Sequence, residues 1–146
     1  MKKLLVLLVA VAAMWGCTTE KEYVTVTEMN RMIYDFTVTN DPYPDGWGYS
    51  NGLAPHFFYN FNFPELDQFL YDNGTMVVYY DDGNTQYPLP YVRTFEEPIG
   101  GGQVRRYTRT IDYEFRRGGI SFYVTNDDFQ YPVKPGEMKF RVVIIW

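Results

Sequence analysis

The sequence predicts an all-β domain, a single β-sandwich or partly open barrel of about seven antiparallel strands, with one short helix near residues 64–72. Three observations predict it. Beyond Cys17 the chain holds one alanine, Ala54, and four leucines, Leu53, Leu66, Leu70 and Leu89, against 14 tyrosines and 11 phenylalanines. Alanine and leucine are the strongest helix formers, whereas aromatic and β-branched side chains suit a pleated surface. Apolar residues alternate with period two along several runs, and glycine and proline recur between those runs, as short strands joined by turns require.

Met32 to Thr39 places Met32, Tyr34, Phe36 and Val38 on one face of the first strand. His56 to Phe63 places Phe57, Tyr59, Phe61 and Phe63 together, with Phe58, Asn60 and Asn62 opposite. In the next segment Pro64 suits a first helical position, and Glu65 and Asp67 favour the positive end of the helix dipole. Leu66, Phe69 and Leu70 would form its apolar face, and Asn73-Gly74 would supply a left-handed stop. Thr75 to Tyr80 (TMVVYY) reads as a strand buried on both sides. Asp81-Asp82-Gly83-Asn84 then turns the chain into a return strand, Thr85 to Val92, which Pro88 and Pro90 confine to a sheet edge. Val104 to Phe115 is the longest run, with Tyr107, Ile111, Tyr113 and Phe115 on one face. Arg116-Arg117-Gly118 turns it into Gly119 to Thr125, and Lys139 to Trp146 (KFRVVIIW) is the seventh strand. No internal repeat is present.

The leader differs in composition from the rest. Lys2 and Lys3 precede a ten-residue apolar run, Leu4 to Ala13, and then small residues and Cys17. This is the layout of a secretory signal, and it is shorter than the roughly 20 apolar residues a membrane span needs. Cys17 is the only cysteine, so no intrachain disulfide and no cysteine-based metal cluster can form. Two readings compete for it: lipidation after cleavage behind Gly16, or cleavage after Ala10-Val11-Ala12 that leaves a free thiol. An unpaired cysteine is an odd residue for an exported protein to keep, which favours lipidation. Two or more acyl chains would give a stable anchor. The organisation expected is a removed leader (1–16), a lipidated cysteine and tether (17–30, with Thr18 to Glu22 as its start), and one domain over 31–146.

Net charge is -5, and it becomes -7 when Lys2 and Lys3 are removed with the leader. That balance argues against nucleic acid as a partner. The charge is uneven: residues 17–100 carry thirteen acids and three bases, and residues 101–146 carry five acids and eight bases. Arg105, Arg106, Arg109, Arg116 and Arg117 form the densest basic run. It reads first as a solvated or internally paired strand face, and second as a patch for an anionic polymer or a lipid headgroup.

The order of parts resembles a family. A short lipoprotein signal and a tether precede an aromatic strand and a Pro-Glu-Leu helix ending in Asn-Gly. An MVVYY strand, the Pro88-Leu89-Pro90-Tyr91 segment, a Gly-Ile strand and a terminal Arg-Val-Val-Ile-Ile follow. In this the chain resembles the small uncharacterised lipoproteins of Bacteroidota. Glu20-Lys21-Glu22 is also similar to the acidic tags that send such lipoproteins to the cell surface. The resemblance implies a β-rich fold anchored at the bacterial outer membrane, on its periplasmic or cell-surface face, and implies no activity.

Catalytic motifs fail on context. Gly48-Tyr49-Ser50-Asn51-Gly52 matches G-x-S-x-G, but a nucleophile elbow needs a strand-to-helix turn and a later acid and histidine. The only histidine, His56, follows six residues later with no acid between. Gly100-Gly101-Gly102 lacks the Lys-Ser/Thr of a phosphate loop, and Glu96-Glu97-Pro98 before it suggests an exposed connection. Asp81-Asp82-Gly83-Asn84 needs no calcium to turn. Glu96-Glu97 and Asp127-Asp128 are adjacent pairs whose side chains would point to opposite faces of a strand. No metal site and no cofactor are expected.

Tyr43, Trp47 and Tyr49 in DPYPDGWGY (41–49) stand among prolines and glycines. They would either present rings to a ligand or fold back as a plug, and the burial of large aromatic area favours the plug. The functional expectation is a non-catalytic binding module for a glycan or another envelope component. The alternative is a structural or accessory subunit of a cell-surface complex that adds to a partner sheet through Thr85–Val92 or Lys139–Trp146. An unrecognised hydrolase comes third.

Overall fold

The computed structural model describes residues 29–128 and 133–146; the leader, Cys17 and most of the tether lie outside them. Among the described residues no helix is long and apolar enough to cross a membrane. The described chain forms nine strands: β1 (Arg31–Val38), β2 (Gly48–Ser50), β3 (His56–Asn62), β4 (Thr75–Asp81), β5 (Gln86–Pro88), β6 (Tyr91–Gly100), β7 (Gln103–Arg116), β8 (Gly119–Asn126) and β9 (Met138–Ile145). One helix, α1 (Gln68–Asn73), lies between β3 and β4.

The strands make two open antiparallel sheets, ordered β1-β9-β4-β5 and β2-β3-β8-β7-β6, so the fold is a sandwich and not a barrel. Alternation puts Phe36 of β1, Val78 of β4 and Phe140, Val142 and Ile144 of β9 on the inner face of the first sheet. Phe57 of β3, Ile111 of β7 and Ile120, Phe122 and Val124 of β8 line the inner face of the second. At the centre Phe122 stacks on Phe140, one ring from each sheet, with centroids 4.0 Å apart and planes 10° apart. Phe36, Phe61 and Phe63 continue this aromatic core in edge-on and tilted contacts.

The predicted return strand Thr85–Val92 is two strands. β5 ends at Pro88 on the edge of the first sheet, and after Leu89-Pro90 the chain enters the second sheet as β6. Neither proline can donate to a ladder, so the chain changes sheets where pairing is already interrupted. Glu96-Glu97-Pro98, expected as an exposed connection, belongs to β6. Gly100, Gly101 and Gly102, all at positive φ, form the hairpin turn into β7. Lys139–Trp146, proposed above as a free edge, pairs on both sides as β9, with β1 and with β4.

The helix starts later than Pro64. Asp67 is its N-cap: its carboxylate accepts the Leu70 amide at 2.9 Å, which fixes the start at Gln68. The preceding turn is stitched to the β7–β8 hairpin, with the Phe63 amide donating to Gly118 O and the Gly118 amide to Leu66 O. Leu66 and Leu70 are buried, but Phe69 is 55% exposed and leaves the apolar face expected of it. Gly74 is not a left-handed stop, since its backbone is extended (φ -82°, ψ 150°). Glycine is needed there for space: a Cβ would lie 2.6 Å from the Leu70 carbonyl oxygen.

Candidate functional site

The sequence-derived candidates do not converge. In the 41–49 segment Trp47 is only 3% exposed, its indole N–H donates to Gly136 O at 3.0 Å, and its ring meets Phe140 edge-on. It is the plug, not a ligand platform, because both its faces and its one donor are engaged inside the protein. Tyr43 and Tyr49 are 55% and 40% exposed and lie apart. Tyr43 packs on Phe58, while Tyr49 packs on Phe57, which points to the other face of β3. The hollow beside Tyr49 measures only about 10 Å³.

The arginine run is dispersed by the same alternation. Arg105 and Arg109 face inward from β7, and Arg106 and Arg116 face outward. Arg105 pairs with Asp128 at 3.2 Å, Arg106 with Glu96, Arg116 with the Ser121 hydroxyl at 3.0 Å and Arg117 with Gln68. Asp127 accepts the Thr108 amide at 2.7 Å, so both acids of that pair are engaged on the protein. The register sets Ser50 across from His56, but in a β2–β3 pair rather than an elbow, and His56 Nδ1 lies 2.8 Å from Ala54 O. Among the described residues no three His, Cys, Asp or Glu side chains cluster as metal ligands would.

A different place gathers chemistry. Where the β4–β5 hairpin diverges from the β6–β7 hairpin, the sandwich opens into a cleft of about 190 Å³. Buried Ile111 and Met138 line it together with Tyr80, Tyr87, Tyr91 and Phe95. Tyr87 and Tyr91 are 4.6 Å apart, and Tyr80 stacks on Tyr87 at 6.0 Å, so three phenol rings form one continuous wall. The polar groups are Asp82, Arg93 and Arg109. Asp82 is the turn residue of the β4–β5 hairpin. It accepts the amides of Asn84 and Thr85 and, through its other oxygen, the Tyr87 hydroxyl at 3.1 Å. Those backbone amides hold its carboxyl below the usual carboxylate range, so it stays ionised into mild acid.

Arg93 and Arg109 are directly opposite each other on β6 and β7, facing the cleft. Their guanidinium carbons lie 5.9 and 5.5 Å from the Phe95 ring centroid. Phe95 in turn stacks on its cross-strand partner Tyr107, with planes 18° apart. Arg109 donates to Asn126 Oδ1 at 3.0 Å, and Arg93 lies within 3.4 Å of the Tyr91 hydroxyl. Of these residues only Arg109 belongs to a group that the sequence singles out as a candidate binding site. The signal for the rest is present: with Gly101 as the centre of a hairpin turn, Arg93 and Arg109 are equally spaced on either side, as are Phe95 and Tyr107.

Burial pushes the Tyr80 phenol above its usual value, and the nearby Asp82 charge adds to the shift. Burial does the same to Tyr113 and Tyr123. A raised folded-state value means that the neutral phenol is the stabilised form. Stability is therefore complete below the ordinary tyrosine value of about 10 and falls as pH rises beyond it. Thermal scans should show Tm falling above about pH 10, with part of the phenolate absorbance appearing only as the β signal in circular dichroism is lost. Ionisation of all tyrosines before any loss of structure would show these phenols to be solvated. No protein-family model, no curated protein and no solved structure matches the chain.

Proposed function

We propose that this chain is an envelope protein, lipid-anchored through Cys17 at the bacterial outer membrane, and that its sandwich binds a glycan without cleaving it. The observation that carries the reading is the wall of Tyr80, Tyr87 and Tyr91 beside a polar rim in an open cleft of about 190 Å³. A sugar ring presents an apolar C–H face and an edge of hydroxyls. Half-buried phenol rings match the first, and Asp82, the Tyr hydroxyls and two guanidinium groups match the second. Binding is favoured over hydrolysis because a glycosidase places two carboxyl groups about the scissile bond. Asp82 is the one carboxylate among the residues lining this cleft, and the turn amides and Tyr87 already occupy it.

Of the two strands suggested for partner-sheet addition, Lys139–Trp146 is interior as β9, while Thr85–Val92 is divided between β5 and β6, each at the edge of its own sheet. The test is titration of the chain with a panel of microbial and host polysaccharides. Saturable binding should weaken about tenfold in Tyr91→Ala, the scale of one lost ring contact, with the circular dichroism spectrum unchanged. Binding that is indifferent to Tyr91 and Tyr87 would remove the cleft from the account.

A further inference from the structure

We infer that the cleft selects an acidic sugar, with Arg93 and Arg109 forming a two-guanidinium clamp for a carboxylate or sulfate carried on the ring; this rests on the glycan reading above. The second sheet carries a conflict of charge. Like charges placed directly across an antiparallel pair repel, and sheets ordinarily avoid them. The β6–β7 ladder shows the usual solution twice, on both faces: Glu97 is opposite Arg105 and Glu96 is opposite Arg106. Between these pairs and the body of the sandwich the same ladder sets Arg93 against Arg109. Among the described residues neither of these two forms an ion pair with a carboxylate, whereas Arg105, Arg106 and Arg141 all do.

What holds the two cations in place leaves their donors available. Both are near the Phe95 ring, which supports the cations without using their hydrogen-bonding edges. Arg109 gives its Nε–H to Asn126, which fixes the plane of the guanidinium. Arg93 is held by the Tyr91 hydroxyl and, at longer range, by the charge of Asp82 across the cleft. A guanidinium has five N–H donors in a planar fork that matches the oxygens of carboxylate or sulfate. The donors left over line the same cleft as the phenol wall. One ligand that occupies both has an apolar ring face and an anionic substituent, which describes a uronate or a sulfated sugar.

Two features set the limits of the site. Asp82, ionised at the rim, disfavours a densely anionic strand running along the cleft. The net charge of -5 likewise opposes attraction of a polyanion to the molecule as a whole. Recognition therefore depends on local geometry and not on long-range attraction.

The experiment uses the full-length chain in detergent and four probes at physiological salt: oligogalacturonate, its methyl ester, a sulfated oligosaccharide of matched length, and a short single-stranded oligonucleotide. Oligogalacturonate should bind at least about tenfold more tightly than its methyl ester, the scale of one charge-assisted bidentate contact. That preference should vanish in Arg93→Gln and in Arg109→Gln, and persist in Arg106→Gln on the outer face. The same preference shown by the sulfated probe in place of the carboxylate supports the clamp and assigns sulfate as the anion. Arg93→Gln should melt no lower than the parent, because it removes a like-charge opposition without breaking a buried hydrogen bond, whereas Arg109→Gln also loses its bond to buried Asn126; a clear loss of stability in Arg93→Gln would mark the pair as structural and overturn the inference. Equal binding of acid and ester overturns the clamp and leaves ring stacking standing. Failure of all three sugars to bind overturns both readings, and tighter binding of the oligonucleotide overturns them in favour of a nucleic-acid site.

Discussion

Phe122→Ala should destabilise the domain by about 3–5 kcal/mol, the range for deleting a buried aromatic ring with incomplete collapse around the cavity. Among the described residues Phe122 alone stacks face to face on a ring of the opposite sheet. It lies 4.0 Å from Phe140, and Phe36 and Phe61 close around it at 6.1 and 5.9 Å. Removing it opens a void that neither sheet can fill, since each is held by its own ladder. Small domains are stable by about 5–15 kcal/mol, so a loss of this size would leave little margin. Urea unfolding of parent and variant measures it, with the midpoint falling and the slope unchanged. Phe122→Leu should lose distinctly less. A cost under about 1 kcal/mol for the alanine variant would mean that the sheets do not meet at this residue.

The second large effect belongs to Trp47, for a different reason. Trp47→Ala removes a plug from one end of the sandwich and should also cost about 3–5 kcal/mol. Trp47→Phe separates the two parts of that loss. It keeps most of the ring packing against Phe140 but loses the indole hydrogen bond to the Gly136 carbonyl; Gly136 is exposed and water can take the donor's place, so this part should cost only about 0.5–1.5 kcal/mol. Quenching with acrylamide gives an independent reading, since a ring that is 3% exposed should be shielded in the parent. Free access of quencher, with little loss of stability in either variant, would return Trp47 to the surface.

Much of this fold was legible because its signal is local. The alternation of Met32, Tyr34, Phe36 and Val38 gave β1 and its inward face, and the proline spacing at 88 and 90 foretold an edge. The errors have a shared cause: they concern which strands meet. Nothing near Lys139–Trp146 indicates that β1 and β4 both pair with it, because each partner is far away in sequence. Pro90 announces an interruption, but only the second sheet shows where the chain goes next. Gly74 reads as a left-handed stop, but what the fold requires there is space beside Leu70. The cleft is hidden in the sequence because the basic run lies there as five neighbours along a line. In the pleated ladder Arg106 and Arg116 turn outward, and Arg109 acquires Arg93, 16 positions earlier, as its true neighbour.

The register of β1 on β9 has a consequence for orientation. Asn30 and Trp146 exchange backbone hydrogen bonds at one end of the first sheet, so the chain enters the domain there. Met138, Tyr80 and Asp82 lie toward the other end, where β9 begins and the cleft opens. Eight residues of extended strand separate the two ends, about 25 Å at the usual rise per residue. Under the anchor proposed at Cys17, the first sheet would be a mast between two ends: any pull from the anchor would reach the domain at its foot, and the cleft opens at its head.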